Sequence, residues 1–294
     1  MKVGFIGLGI MGKPMSKNLI NAGYELVIVD RKNVATDEIG ALGAKIVQSP
    51  KEVAGLVEVV ITMLPNSPEV KEVVLGKNGL IKSDKEGLTI IDMSSISPIV
   101  SREIYAELEK KGINILDAPV SGGEPKAIEG TLSVMVGGKR EIFNKYYDLM
   151  KTMAGSVVRV GDSGAGNITK LCNQIIVAVN ISAVSEALVL AQKAGVSPEL
   201  VYKAIRGGLA GSTVLDAKAP LIMDRKFTPG FRINLHIKDL KNVLDTSHSL
   251  GIPLPLSSNV MEMMQALIVD GLGDEDHCSL VKYFEKISNV MVEH

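Results

Sequence analysis

Residues 2–12 read KVGFIGLGIMG, a short apolar stretch that runs directly into three glycines with the spacing G-x-G-x-x-G. Gly7 permits a tight turn, Gly9 has no side chain to keep the main chain away from a pyrophosphate, and Gly12 lets the next helix pack close to a sheet. The free N–H groups at the start of that helix favour phosphate. A dinucleotide is therefore expected at Gly7, Leu8, Gly9, Ile10, Met11 and Gly12.

The next residues strengthen this interpretation, because a glycine-rich turn alone also occurs without a ligand. A helical stretch, 15–22, precedes a second apolar strand, 26–29, which ends at Asp30. In dinucleotide-binding folds, an acidic residue about 20 positions beyond the glycines binds the ribose hydroxyls. Asp30 repels a 2′-phosphate and favours NAD(H), whereas Arg31 beside it would tolerate NADP(H).

Composition argues against several classes of protein. The chain has 294 residues, of which 46% are hydrophobic and 22% charged, enough for one large domain or two ordinary ones. A net charge of -1 and the absence of Trp give no general attraction for nucleic acid or an anionic membrane. Two cysteines make no disulfide scaffold. No signal peptide or apolar run of about 18 residues is evident, so we expect a cytoplasmic protein without a membrane span.

Apolar strands alternate with helical stretches through the first half. Besides the two strands above, we predict strands at 44–47, 57–64, 88–93, 113–117, 132–136 and 157–160. This alternation predicts a parallel, Rossmann-like sheet with helices on both faces. Ligands of such sheets gather at the carboxyl ends of the strands, so Pro65, Ser94, Ser95 and Ala118 should line one crevice.

The pattern changes after Gly161, and nothing beyond it reads clearly as a strand. A long helix is predicted at 167–194, followed by helices at 198–209, 213–224, 236–250, 256–270 and 276–290. We therefore predict an α/β Rossmann-like domain at 1–162 and an all-α domain at 163–294. The long helix is apolar on several faces, which indicates burial by its own domain or by a second subunit of a homodimer or homotetramer.

The long helix also carries a polar stripe. Asn167, Lys170, Asn173 and Gln174 share one face by their spacing, and no other charge precedes Glu186. Two interpretations stay open. Lys170 either snorkels to solvent or joins a structural hydrogen-bond cluster, or it is partly desolvated and passes a proton to a carbonyl oxygen.

A second glycine turn follows the strand that ends at Asp117. In this turn Ser121, Gly122 and Gly123 offer adjacent main-chain N–H groups and a hydroxyl, which together suit a substrate carboxylate. The same three residues are also common in plain loops, so the pattern by itself does not decide between the two.

The four histidines show no metal-ligand spacing such as H-E-x-x-H, and no metal is expected. They are His236, His248, His277 and His294. Each is expected at the surface or in packing, and His236 is the one close to another candidate residue, Lys238.

The chain resembles the β-hydroxyacid dehydrogenases along its whole length. The motifs that carry this resemblance are FIGLGIMGKPMSKN at 5–18, MLP at 63–65, DMSS at 92–95, DAPVSGG at 117–123, GDSGAGNITKLCN at 161–173 and KDL at 238–240. The resemblance implies reversible, metal-independent NAD(P) chemistry on a small hydroxy acid. Residues 121–138 and 204–220 are most similar to members that reduce tartronate semialdehyde to D-glycerate.

The resemblance also implies roles for matching residues, with Lys170 as the catalytic acid and base. The substrate would be held by Ser121, Gly122, Gly123, Asn173, Gln174, Phe231 and Asp239. The cofactor would be contacted, beyond the first glycine turn, by Leu64, Pro65, Ser95 and Lys238.

Two other functions stay open. A family member acting on 3-hydroxyisobutyrate or 2-hydroxymethylglutarate would share Lys170 and the second glycine turn, and would differ in the pocket residues within 209–235. A dinucleotide-binding sensor without catalysis is the other alternative, and the presence of Lys170 and Asn173 argues against it.

Overall fold

A computed structural model describes residues 1–29 and 34–294 and shows two compact units, Met1–Lys170 and Leu171–His294. Two predicted cofactor residues, Asp30 and Arg31, lie outside the described residues. The unit boundary falls inside the long helix rather than at the predicted division between residues 162 and 163.

The first unit is built on one sheet, whose strand order is β3-β2-β1-β4-β5-β6-β8-β7 with β9 paired to β8. The strands are β1 (Lys2–Ile6), β2 (Glu25–Val29), β3 (Lys45–Ile46), β4 (Val59–Thr62), β5 (Thr89–Asp92), β6 (Asn114–Asp117), β7 (Val120–Ser121), β8 (Leu132–Gly137) and β9 (Ala154–Gly161). Strands β1 to β6 pair in parallel, as predicted. β8 runs antiparallel to β6 and β7, which the alternating pattern did not indicate.

Alternation along the strands places side chains in a core on each face of the sheet. Val3 and Phe5 belong to one buried cluster, whereas Ile6 belongs to the other. Helices cover both clusters and begin where their sequences allow. For example, the Ser49 hydroxyl accepts a hydrogen bond from the Glu52 N–H at 3.3 Å, which caps the third helix. The helices of this unit are α1 (Gly12–Asn21), α2 (Val34–Ala41), α3 (Pro50–Leu56), α4 (Ser67–Leu75), α5 (Pro98–Glu109), α6 (Gly123–Glu129) and α7 (Arg140–Lys151).

The second unit is helical, as predicted. Its helices are α8 (Ala165–Lys193, which begins in the first unit), α9 (Pro198–Ile205), α10 (Thr213–Met223), α11 (Ile233–Ser249), α12 (Pro255–Val269) and α13 (Val281–Ser288). The segment predicted as one helix at 276–290 is divided into a 3₁₀ turn, His277–Leu280, and α13. The Asp276 carboxylate caps the turn through the Cys278 N–H and sets this division.

Within the described residues, α8 is the one helix whose length and composition would allow it to cross a membrane. Half of its most apolar window is buried inside the protein, and core helices commonly meet the same criterion. Ile176 and Leu190 on α8 remain exposed. A second subunit at this helix remains a prediction.

The register aligns the carboxyl ends of four neighbouring strands. Ile6 pairs with Thr62, Thr62 with Asp92, and Asp92 with Asp117. The loops that follow these residues therefore leave the sheet along one edge, as expected for a ligand-binding parallel sheet. The side chains of Ser94 and Ala118 are fully buried, so the prediction that they line a crevice was wrong.

Candidate active site

The three glycines after β1 shape the turn in different ways. Gly7 has a φ of +102°, and a Cβ there would collide with the Met63 carbonyl oxygen. A Cβ on Gly12 would collide with the Gly7 carbonyl oxygen, because the first turn of α1 lies directly against the strand end. Nothing lies within 4 Å of a Cβ on Gly9. The main chain at Gly9 is thus open to an approaching ligand, and this turn fits a pyrophosphate.

The other turn residues differ in exposure. Leu8 is buried in the sheet core, so its side chain does not contribute to the surface of the turn. Ile10 is 54% exposed beside the glycines, and Met11 is half-buried. The turn therefore presents main-chain groups and one large apolar side chain.

A buried carboxylate, Asp92, fixes the loops that follow β4 and β5. Its Oδ1 accepts hydrogen bonds from the Thr62 hydroxyl at 2.8 Å and from the Ser94 N–H at 3.2 Å. The Ser94 hydroxyl in turn accepts the Leu64 N–H at 2.9 Å. Burial raises the pKa of Asp92 to about 6, against the lowering effect of the bonds from Ser94 and Thr62. Sequence reasoning missed this residue, although a carboxylate ending the apolar run LTIID was a usable signal.

These loops carry the predicted contacts to the nicotinamide. Leu64 and Ser95 are half-buried, and Pro65 is exposed. The Asp92 network thus holds main-chain positions rather than presenting its own carboxylate to a ligand.

A second buried carboxylate, Asp117, holds the first turn of α8. Its Oδ1 accepts the Gly164 N–H at 2.8 Å, and its Oδ2 accepts the Asn167 N–H at 2.9 Å. Burial raises its pKa to about 6, opposed by these hydrogen bonds. The Asn167 side-chain oxygen accepts the Ile96 N–H at 3.2 Å and links the same turn to the loop after β5. The start of the helix that carries Lys170 is therefore anchored to two strand ends.

The second glycine turn lies between β7 and α6. Gly122 and Gly123 have φ values of +139° and +69°, in the region that favours glycine. A Cβ on Gly122 would lie 2.8 Å from the Lys126 side chain. The aliphatic part of the Lys126 side chain therefore packs against the predicted carboxylate turn.

Lys170 is 7% exposed, so the interpretation as a lysine that snorkels to solvent was wrong. A buried lysine requires polar partners or a chemical task. Asn173 follows one turn later on the same helix, which places polar groups next to Lys170 along α8.

In the second unit, the structure brings four predicted site residues into one hydrogen-bonded cluster. Asn173 donates to the Gln174 Oε1 at 2.8 Å, and Gln174 donates to the Asp239 Oδ2 at 2.6 Å. The Lys238 ammonium lies 3.0 Å from the Asp239 Oδ1. The two amides, the carboxylate and the ammonium fix one another's orientation, and we call them the amide–carboxylate cluster.

The position of Phe231 depends on Asp276, a residue that the sequence did not indicate. The Phe231 N–H donates to the Asp276 Oδ2 at 3.1 Å, and the His277 N–H donates back to the Phe231 carbonyl at 2.9 Å. Burial alone would raise the pKa of Asp276, but the charges of His277 and Lys218 lower it to about 2. Asp276 has no sequence signal of its own, because its partners are distant along the chain.

The histidines divide into two groups. His248 and His294 are exposed, whereas His236 and His277 are buried and lie next to each other. Across residues 1–29 and 34–294, no three His, Cys, Asp or Glu side chains are grouped so as to hold a metal ion.

Comparison with known families gives two matches that together span nearly the whole chain. Residues 2–161 match the NAD-binding domain of 6-phosphogluconate dehydrogenase. Residues 164–284 match the NAD-binding domain of NADP-dependent 3-hydroxyisobutyrate dehydrogenase. A nicotinamide dinucleotide is therefore the cofactor that this chain is built to bind.

Individual proteins match over nearly their full length. The chain is 43% identical to 2-hydroxy-3-oxopropionate reductase of Escherichia coli (strain K12), over 98% of this chain and 99% of that protein. It is 34% identical to 2-(hydroxymethyl)glutarate dehydrogenase of Eubacterium barkeri, over 99% and 97%. The structure of Mycobacterium tuberculosis 3-hydroxyisobutyrate dehydrogenase with L-serine superposes with a TM-score of 0.90 at 32% identity, over 96% of this chain and 98% of that one.

Substitutions at the first glycine turn should separate fold from ligand binding. Gly12→Ala places a methyl group against main chain that cannot move aside, so we expect a clear drop in the thermal midpoint. Gly9→Ala meets no protein atom and should keep the midpoint while weakening NADH binding roughly tenfold or more. Calorimetry and NADH titration measure the two effects.

Gly55→Ala in α3 is the matched control. It also meets no protein atom, and it should be neutral or slightly stabilising with unchanged NADH binding. Wild-type NADH affinity in Gly9→Ala would show that a phosphate does not approach the main chain at this point.

The raised pKa of Asp117 predicts the direction in which the stability of the protein changes with pH. Between the unfolded value of 3.8 and the folded value of about 6, the folded protein binds more protons, so this residue's contribution falls as pH rises. Asp117→Asn keeps only one acceptor and does not titrate. We expect the variant to melt below wild type at pH 5 and the gap to narrow at pH 8. A gap that widens with pH would contradict the assignment.

Proposed function

The chain belongs to the β-hydroxyacid dehydrogenase family of NAD(P)-dependent oxidoreductases, which act on the CH–OH group of small hydroxy acids, and we propose that it reversibly reduces tartronate semialdehyde (2-hydroxy-3-oxopropanoate) to D-glycerate. One observation carries the chemistry. A buried lysine, Lys170, precedes the amide–carboxylate cluster by a single helical turn. The choice of substrate rests on the 43% identity to a reductase of that aldehyde.

Lys170 supplies the proton. A nicotinamide dinucleotide, when bound, would supply the hydride for the aldehyde carbon of the substrate, and negative charge would then develop on the aldehyde oxygen. The Lys170 ammonium stabilises this charge and then protonates the oxygen, and in the reverse direction the neutral amine accepts the alcohol proton. Burial strengthens the interaction, because water does not screen it.

The substrate carboxylate is proposed to lie at the second glycine turn. There the main-chain N–H groups of Gly122 and Gly123 and the hydroxyl of Ser121 would bind the carboxylate. The aliphatic part of Lys126 packs against Gly122, and an ammonium group close to this turn would favour an anion. This arrangement selects acids over neutral aldehydes.

The amide–carboxylate cluster is proposed to bind the 2-hydroxyl group of the substrate. Asn173 and Asp239 carry groups suited to a hydroxyl, because an amide and a carboxylate can each form several hydrogen bonds. In 3-hydroxyisobutyrate a methyl group replaces that hydroxyl, so the hydrogen bond to the cluster would be lost. Sites that bind a substrate hydroxyl reject such analogues strongly, which favours tartronate semialdehyde.

NAD(H) is the proposed preference, on the basis of Asp30 alone. An aspartate that follows β2 directly in the sequence would bind the two ribose hydroxyls and repel the additional phosphate of NADP(H). Arg31 is the feature that would weaken this discrimination.

A panel of substrates tests the proposal. NADH or NADPH oxidation is followed at 340 nm with tartronate semialdehyde, and the reverse reaction with D-glycerate, 3-hydroxyisobutyrate and 2-hydroxymethylglutarate. We expect D-glycerate to have a kcat/KM at least about tenfold above the other two hydroxy acids, and NADH to exceed NADPH. A preference for 3-hydroxyisobutyrate would refute the substrate assignment. NADH binding without turnover of any substrate would favour a sensor.

Lys170→Ala tests the proton donor. We expect kcat to fall roughly 100-fold or more, because the developing alkoxide loses its acid, while the Kd for NADH stays near the wild-type value. Lys193→Ala, at the exposed end of the same helix, is the matched control and should keep wild-type kcat. Near-normal turnover by Lys170→Ala would remove the lysine from the mechanism.

A further inference from the structure

His236 on α11 and His277 at the start of the 3₁₀ turn form a buried pair. The Nδ1 atoms of the two rings lie 2.9 Å apart, and both side chains are almost completely enclosed. The Phe231 ring packs edge-on against both imidazoles, with centroid distances of 5.7 and 5.3 Å. The proton chemistry proposed for Lys170 does not use this pair.

The distance between the rings limits their protonation. Two nitrogens 2.9 Å apart form a hydrogen bond only when one carries a hydrogen and the other offers a lone pair. If both Nδ1 atoms were protonated, two N–H groups would point at each other in a buried space. The pair therefore holds one proton between the rings, and the two imidazoles are never charged together.

One end of the pair faces charged groups. The His277 Nε2 lies 3.9 Å from the Asp276 Oδ1, and that oxygen also binds the Lys218 ammonium at 2.8 Å. The other Asp276 oxygen holds the N–H groups of Gly230 and Phe231. His277 is thus attached to the segment that presents Phe231.

The other end faces the main chain of α8 at Gln174. The His236 Nε2 lies 3.5 Å from the Gln174 carbonyl oxygen, so the tautomer that donates from Nε2 suits this position. With Nε2 protonated, the Nδ1 of His236 is the acceptor and the Nδ1 of His277 is the donor. His236 is also on the same helix as Lys238 and Asp239.

We propose that His236 and His277 are positioning residues for the substrate, a one-proton pair that links the Asp276-held segment carrying Phe231 to the helix position of Gln174. The inference rests on the proposed role of Gln174, Asp239 and Phe231 in substrate binding. The pair acts through these residues and does not touch the reacting atoms. Its loss loosens the orientation of the substrate and leaves the cofactor turn, which lies in the first unit, unchanged.

Two substitutions of His277 separate a positioning role from bulk packing. His277→Phe keeps a ring of similar size and removes the hydrogen bond. His277→Asn keeps a side-chain N–H near the position of Nδ1 and removes the ring. We expect His277→Phe to raise the substrate KM roughly tenfold, the effect of one lost hydrogen bond, with the NADH Kd unchanged. His277→Asn should restore KM to within about threefold of wild type.

His248→Asn, at an exposed position of α11, is the control and should have wild-type KM. A wild-type KM in a folded His277→Phe variant would overturn the proposal. So would equal losses in both His277 variants that track only their thermal midpoints. If tartronate semialdehyde is not turned over, the substrate identified by the panel is used, so failure of the substrate assignment remains distinguishable.

A measurement on the wild-type protein needs no activity. The chain has four histidines, so ¹⁵N-histidine NMR with His248→Asn, His294→Asn and His277→Phe as assignment variants identifies every ring. We expect one protonated and one unprotonated Nδ1 within the pair between pH 6 and 8, with the protonated one on His277. Two rings that titrate independently, each near the ordinary pKa of about 6.5, would overturn the shared proton.

Discussion

Most of the candidate site depends on the two hydrogen bonds by which the buried Asp117 carboxylate caps α8. Both carboxylate oxygens accept N–H groups from the first turn of the helix, where Gly164 and Asn167 would otherwise leave main-chain donors unsatisfied. Because Asp117 ends a central strand, the helix start is fixed to the sheet edge. Lys170 comes one turn later, so its position follows from that cap.

The sequence was sufficient to predict the elements whose hydrophobic pattern is strongly periodic. The parallel strands, the glycine turn and the helical second half follow from alternation, spacing and the lack of strand patterns. β7 has two residues and carries no pattern of its own, and the antiparallel direction of β8 depends on a tertiary pairing. The pattern of neighbouring residues in the sequence gives no information about such tertiary pairings.

The candidate site shows the same division between local and long-range information. Residues in recognisable motifs, such as Lys170 and Gln174, could be named from the sequence. Asp276 and His277 could not, because their roles depend on partners on α10 and α11 and in the segment before α11. Buried polar groups are costly unless paired, so the structure reveals them by their hydrogen bonds rather than by any spacing.

The continuity of α8 has a mechanical consequence. An α-helix rises about 1.5 Å per residue, so Lys170 and Gln174 are about 6 Å apart along one rigid axis for as long as α8 stays helical. The proposed proton donor and the amides therefore keep their spacing along this one helix. Substitutions in the loops outside α8 leave this spacing unchanged, whatever they do to the shape of the pocket.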